Sequence, residues 1–300
     1  MEKQTIFWHL PGFCINFYLY QVLLRLMKTE PGKFQENYRI GSVYGTFPGA
    51  IWNGGRAVFG ITSRSDMQKI IETYNREKIP VRFTWTNSLI EEKHLDDTYC
   101  NLIMETADNG MNQVLVNTKI LEDYLKERYP DFLYISSTTK RLTDRELIRK
   151  ELSGDYFLVV LDYDLNHDME FLRTIRDEAD KIEILVDEIC FPNCPKRKEH
   201  YREESLAQLN FDKGTPFPCP NRTKTPSFEE CKKRPAFISR EEIPEYAGMG
   251  FHHFKLVGRG LPQSMLIDSL LYYLVKPGCE EEIRNRIAKE LDKIRGTRNA

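Results

Sequence analysis

Four cysteines stand close together in a stretch that otherwise carries little regular pattern: Cys190-Phe191-Pro192-Asn193-Cys194-Pro195, then Pro218-Cys219-Pro220, then Glu229-Glu230-Cys231. A Cys-x3-Cys pair and two further cysteines can offer four thiolates to one centre. Thiolates suit zinc and iron–sulfur clusters, which are borderline or soft acceptors. Flanking prolines stiffen such a loop before a ligand arrives. The spacing matches neither a zinc ribbon nor a ferredoxin run, so reduced structural thiols stay open as the alternative. His200 is a spare donor should Cys231 not take part. Cys100 falls on a helical face with Ile103 and Ala107 and reads as core, and Cys279 opens the last helix and reads as structural.

A second set of residues follows the apolar runs. Asn87, Asn117, Ser136 and Ser137, Asp162, Asp187 and Glu188, and Lys255 with Arg259 each stand at or just beyond the end of a strand-like segment. Singly, each is a helix cap or an exposed loop residue. Together they form a ring that a barrel would gather at one mouth. Asp162, Glu188 and Lys255 are the candidates for acid–base work, and Asn87, Asn117, Ser137 and Arg259 for holding a substrate. The turn Trp52-Asn53-Gly54-Gly55-Arg56 adds Arg56 as an anchor for an anion. Neither the Walker loop nor the dinucleotide glycine pattern is present, and G-x-S-x-G and H-E-x-x-H are missing too. Lys196-Arg197-Lys198 and Lys232-Lys233-Arg234 could touch phosphate, although short basic runs are common on solvated surfaces.

The elements that must position these residues alternate along the chain. Strand-like runs are expected at 5–9, 38–45, 80–86, 113–117, 132–136, 156–162, 182–187 and 252–257, mostly apolar on both faces. Between them lie amphipathic helices. Ser65-x-x-Gln68 and Thr143-x-x-Glu146 have the capping-box form, and one helix is expected from about 91 to 106. A C-terminal helix at 278–297 begins with three glutamates and ends with basic residues, in keeping with the macrodipole. Eight strands, nearly all followed by a helix, point to an α/β fold, a (β/α)8 TIM-like barrel in one domain spanning 1–300. A doubly wound open sheet is the alternative. Residues 190–240 form a cysteine-rich irregular insertion after the seventh strand, at the end where barrel enzymes keep their active sites.

Composition narrows the class. Three hundred residues with 43 basic and 45 acidic side chains give a net charge of −2. That balance disfavours a protein that coats nucleic acid or an anionic membrane through excess cations. No run reaches the roughly 20 apolar residues of a membrane span. The first residues lack a signal-peptide layout, and seven cysteines in a chain of this size read as reduced thiols. A cytoplasmic location is expected, where the Asn221-Arg222-Thr223 sequon would be idle.

The order of these motifs resembles one family. Gly41–Gly45 with Gly55-Arg56, the runs 81–87, 114–117 and 132–137, Ile184–Glu188 leading into Cys190, and the closing Phe254-Lys255-Leu256-Val257-Gly258-Arg259 are similar to the barrel of peptidase family U32. The closing stretch resembles that family's Lys-Ile-Glu-Gly-Arg signature, with Val257 where the glutamate stands. The resemblance spans roughly 38–276. It implies a TIM-like barrel whose cysteine insertion holds a [4Fe–4S] cluster, with Cys190, Cys194, Cys219 and Cys231 as the matching ligands and zinc as the alternative metal. It further implies an oxygen-independent redox modification, a hydroxylation, of an RNA or a quinone-like small molecule. A U32-type peptidase with a metal-bound water and Glu188 as base is the second expectation, with a peptide as substrate. A non-catalytic binding protein clipped by metal is the third. A homo-oligomer or a partner subunit is compatible with all three.

Overall fold

The computed structural model describes residues 4–212, 214, 216–219 and 227–298. Eight parallel strands close into a barrel in sequence order: β1 Ile6–Pro11, β2 Tyr38–Gly45, β3 Val81–Trp85, β4 Gln113–Val116, β5 Leu133–Ser136, β6 Leu158–Val160, β7 Ile182–Leu185 and β8 His253–Lys255. The ring shuts where Phe7, Trp8 and His9 pair with His253, Phe254 and Lys255. The (β/α)8 barrel expected from the alternating runs is the fold of the chain. Among the described residues eleven helices flank it: α1 Phe17–Thr29, α2 Arg64–Arg76, α3 Thr98–Ala107, α4 Lys119–Arg128, α5 Arg145–Leu152, α6 Met169–Thr174, α7 Arg197–Asn210, α8 Phe228–Cys231, α9 Ile243–Gly248, α10 Gln263–Leu274 and α11 Glu280–Arg298.

Period-two alternation sorts the strand residues. Trp8, Phe83 and Phe254 point outward into the large core between sheet and helices. Their neighbours point into the barrel. There one side is apolar, built from Tyr44, Leu115, Ile135, Leu158, Val160 and Leu185. The other side is polar, and Arg82 of β3 crosses the interior to Glu183 of β7. Outside, Ile283, Ile287 and Leu291 of α11 are buried, and the helix packs on α1.

Some local expectations are corrected. The cap of α2 is Ser63, not Ser65: its hydroxyl accepts from Asp66 N at 3.1 Å and donates to the Asp66 carboxylate at 2.7 Å. Asp144, not Thr143, caps α5, because one carboxylate oxygen takes both Glu146 N and Leu147 N. The helix expected from 91 begins only at Thr98, where Asp97 accepts from Cys100 N at 2.7 Å. The insertion is not irregular throughout. It carries α7, whose buried residues are Arg197, Ser205 and Gln208, so it has no apolar stripe to read. Positions 213, 215 and 220–226 of the insertion, with the sequon at Asn221, lie outside the described residues. Among the described residues no helix is long and apolar enough to cross a membrane.

Candidate functional site

At the C-terminal ends of the strands lies a cavity of about 80 Å3, large enough for several waters. Arg56, Ser137, Glu188, Lys255 and Arg259 all line it, joined by Tyr44, Thr84, Thr86, Thr138, Arg197 and Tyr201.

Lys255 is the last residue of β8 and is 5 % exposed. Its Nζ lies 3.0 Å from Glu183 Oε1 and 4.2 Å from the centre of the Tyr44 ring. Burial pulls the amine down to about 8, with Glu183 opposing and Arg82 adding to the fall. Below it Glu183 is fully buried. Burial alone would raise its pKa, but Arg82, Lys255 and His9 outweigh that and hold it well below the usual carboxylate range. His9 completes this layer: Nδ1 shares a proton with Ser42 Oγ at 2.8 Å, and Nε2 lies 3.1 Å from His253 Nδ1. Burial keeps His9 neutral, well below its ordinary value. Arg82 also donates from Nε to Gln113 Oε1 at 2.9 Å.

The loop after β2 reaches the cavity through Gly55, which follows Gly54. A side chain on Gly54 would meet Thr86 O at 2.2 Å, so the loop lies directly on the end of β3. Gly55 holds φ +75°, a left-handed conformation that glycine adopts freely. Arg259 binds this loop with Nη1 on Asn53 Oδ1 at 3.0 Å and Nη2 on Gly54 O at 3.1 Å. Helix α7 docks on the same loop. Gln208 Oε1 accepts from Val58 N at 2.7 Å, and Glu204 Oε2 from Ala57 N at 2.7 Å. The insertion thereby carries Arg197 and Tyr201 over the barrel mouth.

Of the strand-end residues, Asn87, Asn117, Ser136, Asp162 and Asp187 do not line the cavity. Asn87 is fully buried and ties Ile51 O to Ser205 O. Asn117 donates to Thr139 Oγ1 at 2.7 Å and so positions a cavity wall. Asp162 takes Arg141 Nη1 on both oxygens, at 2.6 and 2.7 Å, and caps the turn that follows. Glu188 is buried, its pKa raised chiefly by that burial, and it accepts from Cys190 N at 3.0 Å. Its neighbour Asp187 faces away, bound by Val257 N and Ser269 Oγ at 2.6 Å each. His9, Arg82, Glu183, Arg197 and Tyr201 were not singled out for this site from the sequence. For Arg82 and Glu183 a signal exists: a lone charge of each sign in the middle of an apolar strand.

The four cysteines of the insertion divide into two groups, and all seven of the chain are free thiols. Burial pushes Cys190 up to about 12, and the charges of Glu188, Cys219 and Cys194 add to it while Arg56 opposes. Cys190, Cys194 and Cys219 therefore share one neighbourhood beside the cavity. Cys231 is buried apart, with its thiol on Asp187 O at 3.1 Å. His200 stacks on Phe217. Among the described residues no three Cys, His, Asp or Glu side chains converge on a metal-sized site. The donors have the right chemistry for a cluster or for zinc, but as placed they do not close around one.

No family model matches the sequence, and no curated protein matches it. Among solved structures the chain is similar to that of the U32 peptidase Mk0906, with a TM-score of 0.55 and 16 % identity over 87 % of this chain and 96 % of that chain. At that identity the likeness is one of fold. The barrel expected from the U32 resemblance is thus shared across nearly the whole length of a U32 structure.

Proposed function

We propose that the chain is an enzyme working at the C-terminal mouth of its barrel, with Lys255 giving or taking a proton and Glu188 as the acidic group of the same cavity. One observation carries this reading. A lysine enclosed at a strand end faces a cavity and has a single carboxylate, Glu183, beneath it. An amine near 8 is matched to proton transfer close to neutral pH.

The test uses the full chain and a small neutral aldehyde, acetaldehyde, with cyanoborohydride at pH 8. The amine adds to the carbonyl, water leaves, and hydride reduces the imine. Near pH 8 about half of Lys255 is the free base, against roughly one in 250 for an ordinary exposed lysine. Peptide mapping by mass spectrometry should find Lys255 modified well ahead of the exposed Lys69 and Lys150, with a rate midpoint near pH 8. Modification of Lys255 no faster than those two sinks the reading.

The neighbouring thiols of Cys190, Cys194 and Cys219 favour a second reading, in which the same cavity serves an oxygen-independent hydroxylation of an RNA or small-molecule substrate. When bound there, a cluster would relay to an external acceptor the two electrons that such a hydroxylation withdraws from the substrate, and zinc would supply the activated water of a peptidase with Glu188 as base. Cys231 would have to leave Asp187 O to join the set. Anaerobic purification with iron, sulfide and zinc analysis tests this. About four iron per chain, lost in serine variants of these cysteines, supports the hydroxylase reading, and zinc the peptidase. Absence of both metals removes it.

A further inference from the structure

Five buried or half-buried arginines surround the barrel mouth and interior, and they fall into two kinds. Arg82 is paired with Glu183, and Arg141 with Asp162 and Asp164. Arg56, Arg197 and Arg259 line the cavity, and among the described residues none has a carboxylate within ordinary hydrogen-bond distance. Arg259 rests on neutral acceptors, Asn53, Thr84 and Gly54. Among the described residues Arg56 donates only to Gly55 O, at 3.1 Å. Arg197 is 4 % exposed and lies over the Tyr163 ring, 4.4 Å from its centre. Its Nη1 bonds Tyr201, but among the described residues Nε and Nη2 have no hydrogen-bond partner. The nearest carboxylate, Glu188, is 3.9 Å from Nη2. Glu188 is already engaged by Cys190 N, and burial makes it a weaker anion.

A buried guanidinium with two idle donors is costly, because it has left water without a replacement bond. Here the cost is compounded by like charge: Arg56 weighs against the charged forms of both Arg197 and Arg259. Two more orphans, the hydroxyls of Thr86 and Thr138, belong to the same cavity wall. Orphaned donors and unbalanced positive charge thus share one small cavity. Its remaining wall is apolar, from Leu115, Leu185 and Val257.

We infer that this cavity is an oxyanion clamp, in which Arg56, Arg197 and Arg259 seat the phosphate or carboxylate group of a compact substrate. The inference deepens the enzyme reading above and rests on it for the presence of a substrate at the mouth. Planar guanidinium forks match oxyanions of either kind. The third member comes from the insertion, so α7 both covers the barrel mouth and completes the clamp.

Calorimetric titration of the full chain with inorganic phosphate, and separately with acetate, tests the clamp. One anion should bind per chain. Arg197→Met and Arg56→Met should each weaken it roughly 10-fold or more, the loss of a charge-assisted hydrogen bond. Thr86→Val, which removes only an orphan hydroxyl, serves as the test should Arg197→Met fail to fold, and should weaken binding a few-fold. Phosphate binding with acetate silent assigns a phosphate-bearing substrate, and the reverse assigns a carboxylate. Both support the clamp. Failure of both anions to bind, or binding unchanged in the variants, overturns it. Aldehyde trapping at Lys255 separates the two claims. Anion binding without trapping removes the proton-transfer role and leaves the clamp, and trapping without anion binding removes the clamp alone.

Discussion

Glu183→Gln perturbs the barrel interior with the least change of shape. The side chain keeps its volume and loses one negative charge. In the intact protein that carboxylate faces Arg82, Lys255 Nζ at 3.0 Å and His9 Nε2 at 3.3 Å, and both Arg82 and Glu183 are wholly buried. The two cations respond differently to its loss. Lys255, already near 8, can release its proton. Arg82 cannot, because a guanidinium stays protonated in proteins. It is left buried with neutral partners only, Gln113 Oε1 at 2.9 Å and His9 Nδ1 at 3.1 Å. Breaking one half of a buried pair in this way costs about 3–5 kcal/mol, a large share of a typical stability of about 5–15 kcal/mol. Urea unfolding at pH 7.5, followed by circular dichroism, should show that loss with an unchanged slope. Arg82→Met should cost less, since Glu183 keeps Lys255 as its partner. The double variant Arg82→Met with Glu183→Gln should recover most of the loss, because no obligatory charge remains buried. If Glu183→Gln is as stable as the parent, or the double variant loses the sum of the singles, the uncompensated-guanidinium argument is wrong.

Two further outcomes are expected. Gly54→Ala forces a Cβ to within 2.2 Å of Thr86 O, backbone that cannot swing aside, so the loop must lift from β3. Its melting temperature should fall by several degrees and phosphate binding should weaken, whereas Gly32→Ala, with nothing within 4 Å, should leave both unchanged. His253 supplies a pH test. Burial lowers it to about 4, so between its ordinary value of about 6.5 and 4 the unfolded chain holds a proton that the folded one lacks. Stability from this group is therefore lost as pH falls through that window. Urea unfolding at pH 7.5 and 4.5 should show the parent losing about 2 kcal/mol relative to His253→Asn, and parallel losses in the two proteins would refute it.

The barrel was legible because a covered parallel sheet makes each strand apolar on both faces. Ile182–Leu185, Gln113–Val116 and Leu158–Val160 are short, but each is fully buried, and each falls within the run expected for it. The cap of α5 falls one residue from the expected one because a carboxylate outcompetes a hydroxyl, as Asp144 does beside Thr143. Helix α7 was illegible for a different reason. It docks through Gln208 and Glu204, by hydrogen bonds to a loop backbone, and no hydrophobic period records that. Since α7 carries Arg197, the least legible helix hid one wall of the cavity.

The strand-end rule finds residues at the mouth but not which way they turn. Asp162 and Glu188 both stand just past a strand, yet one is consumed by Arg141 and the other lines the cavity. What decides is whether a local cation claims the carboxylate first. The same reasoning applies to the floor. The interior is divided, apolar from Leu115 to Leu185 and charged from Glu183 round to Arg82. An all-apolar filling would cost less desolvation, because buried ion pairs seldom exceed hydrophobic packing in stability. The charged half does what an apolar filling could not: it fixes one ammonium, Lys255, at the boundary between a dry barrel and a cavity rich in unpaired guanidinium groups. On the proposed reading, Arg82 and Glu183 are positioning residues. Their variants should then move the pH midpoint of Lys255 trapping downward for Glu183→Gln, which removes the charge that favours the ammonium, and upward for Arg82→Met, which removes one that opposes it. A purely structural pair would change stability and leave that midpoint at about 8.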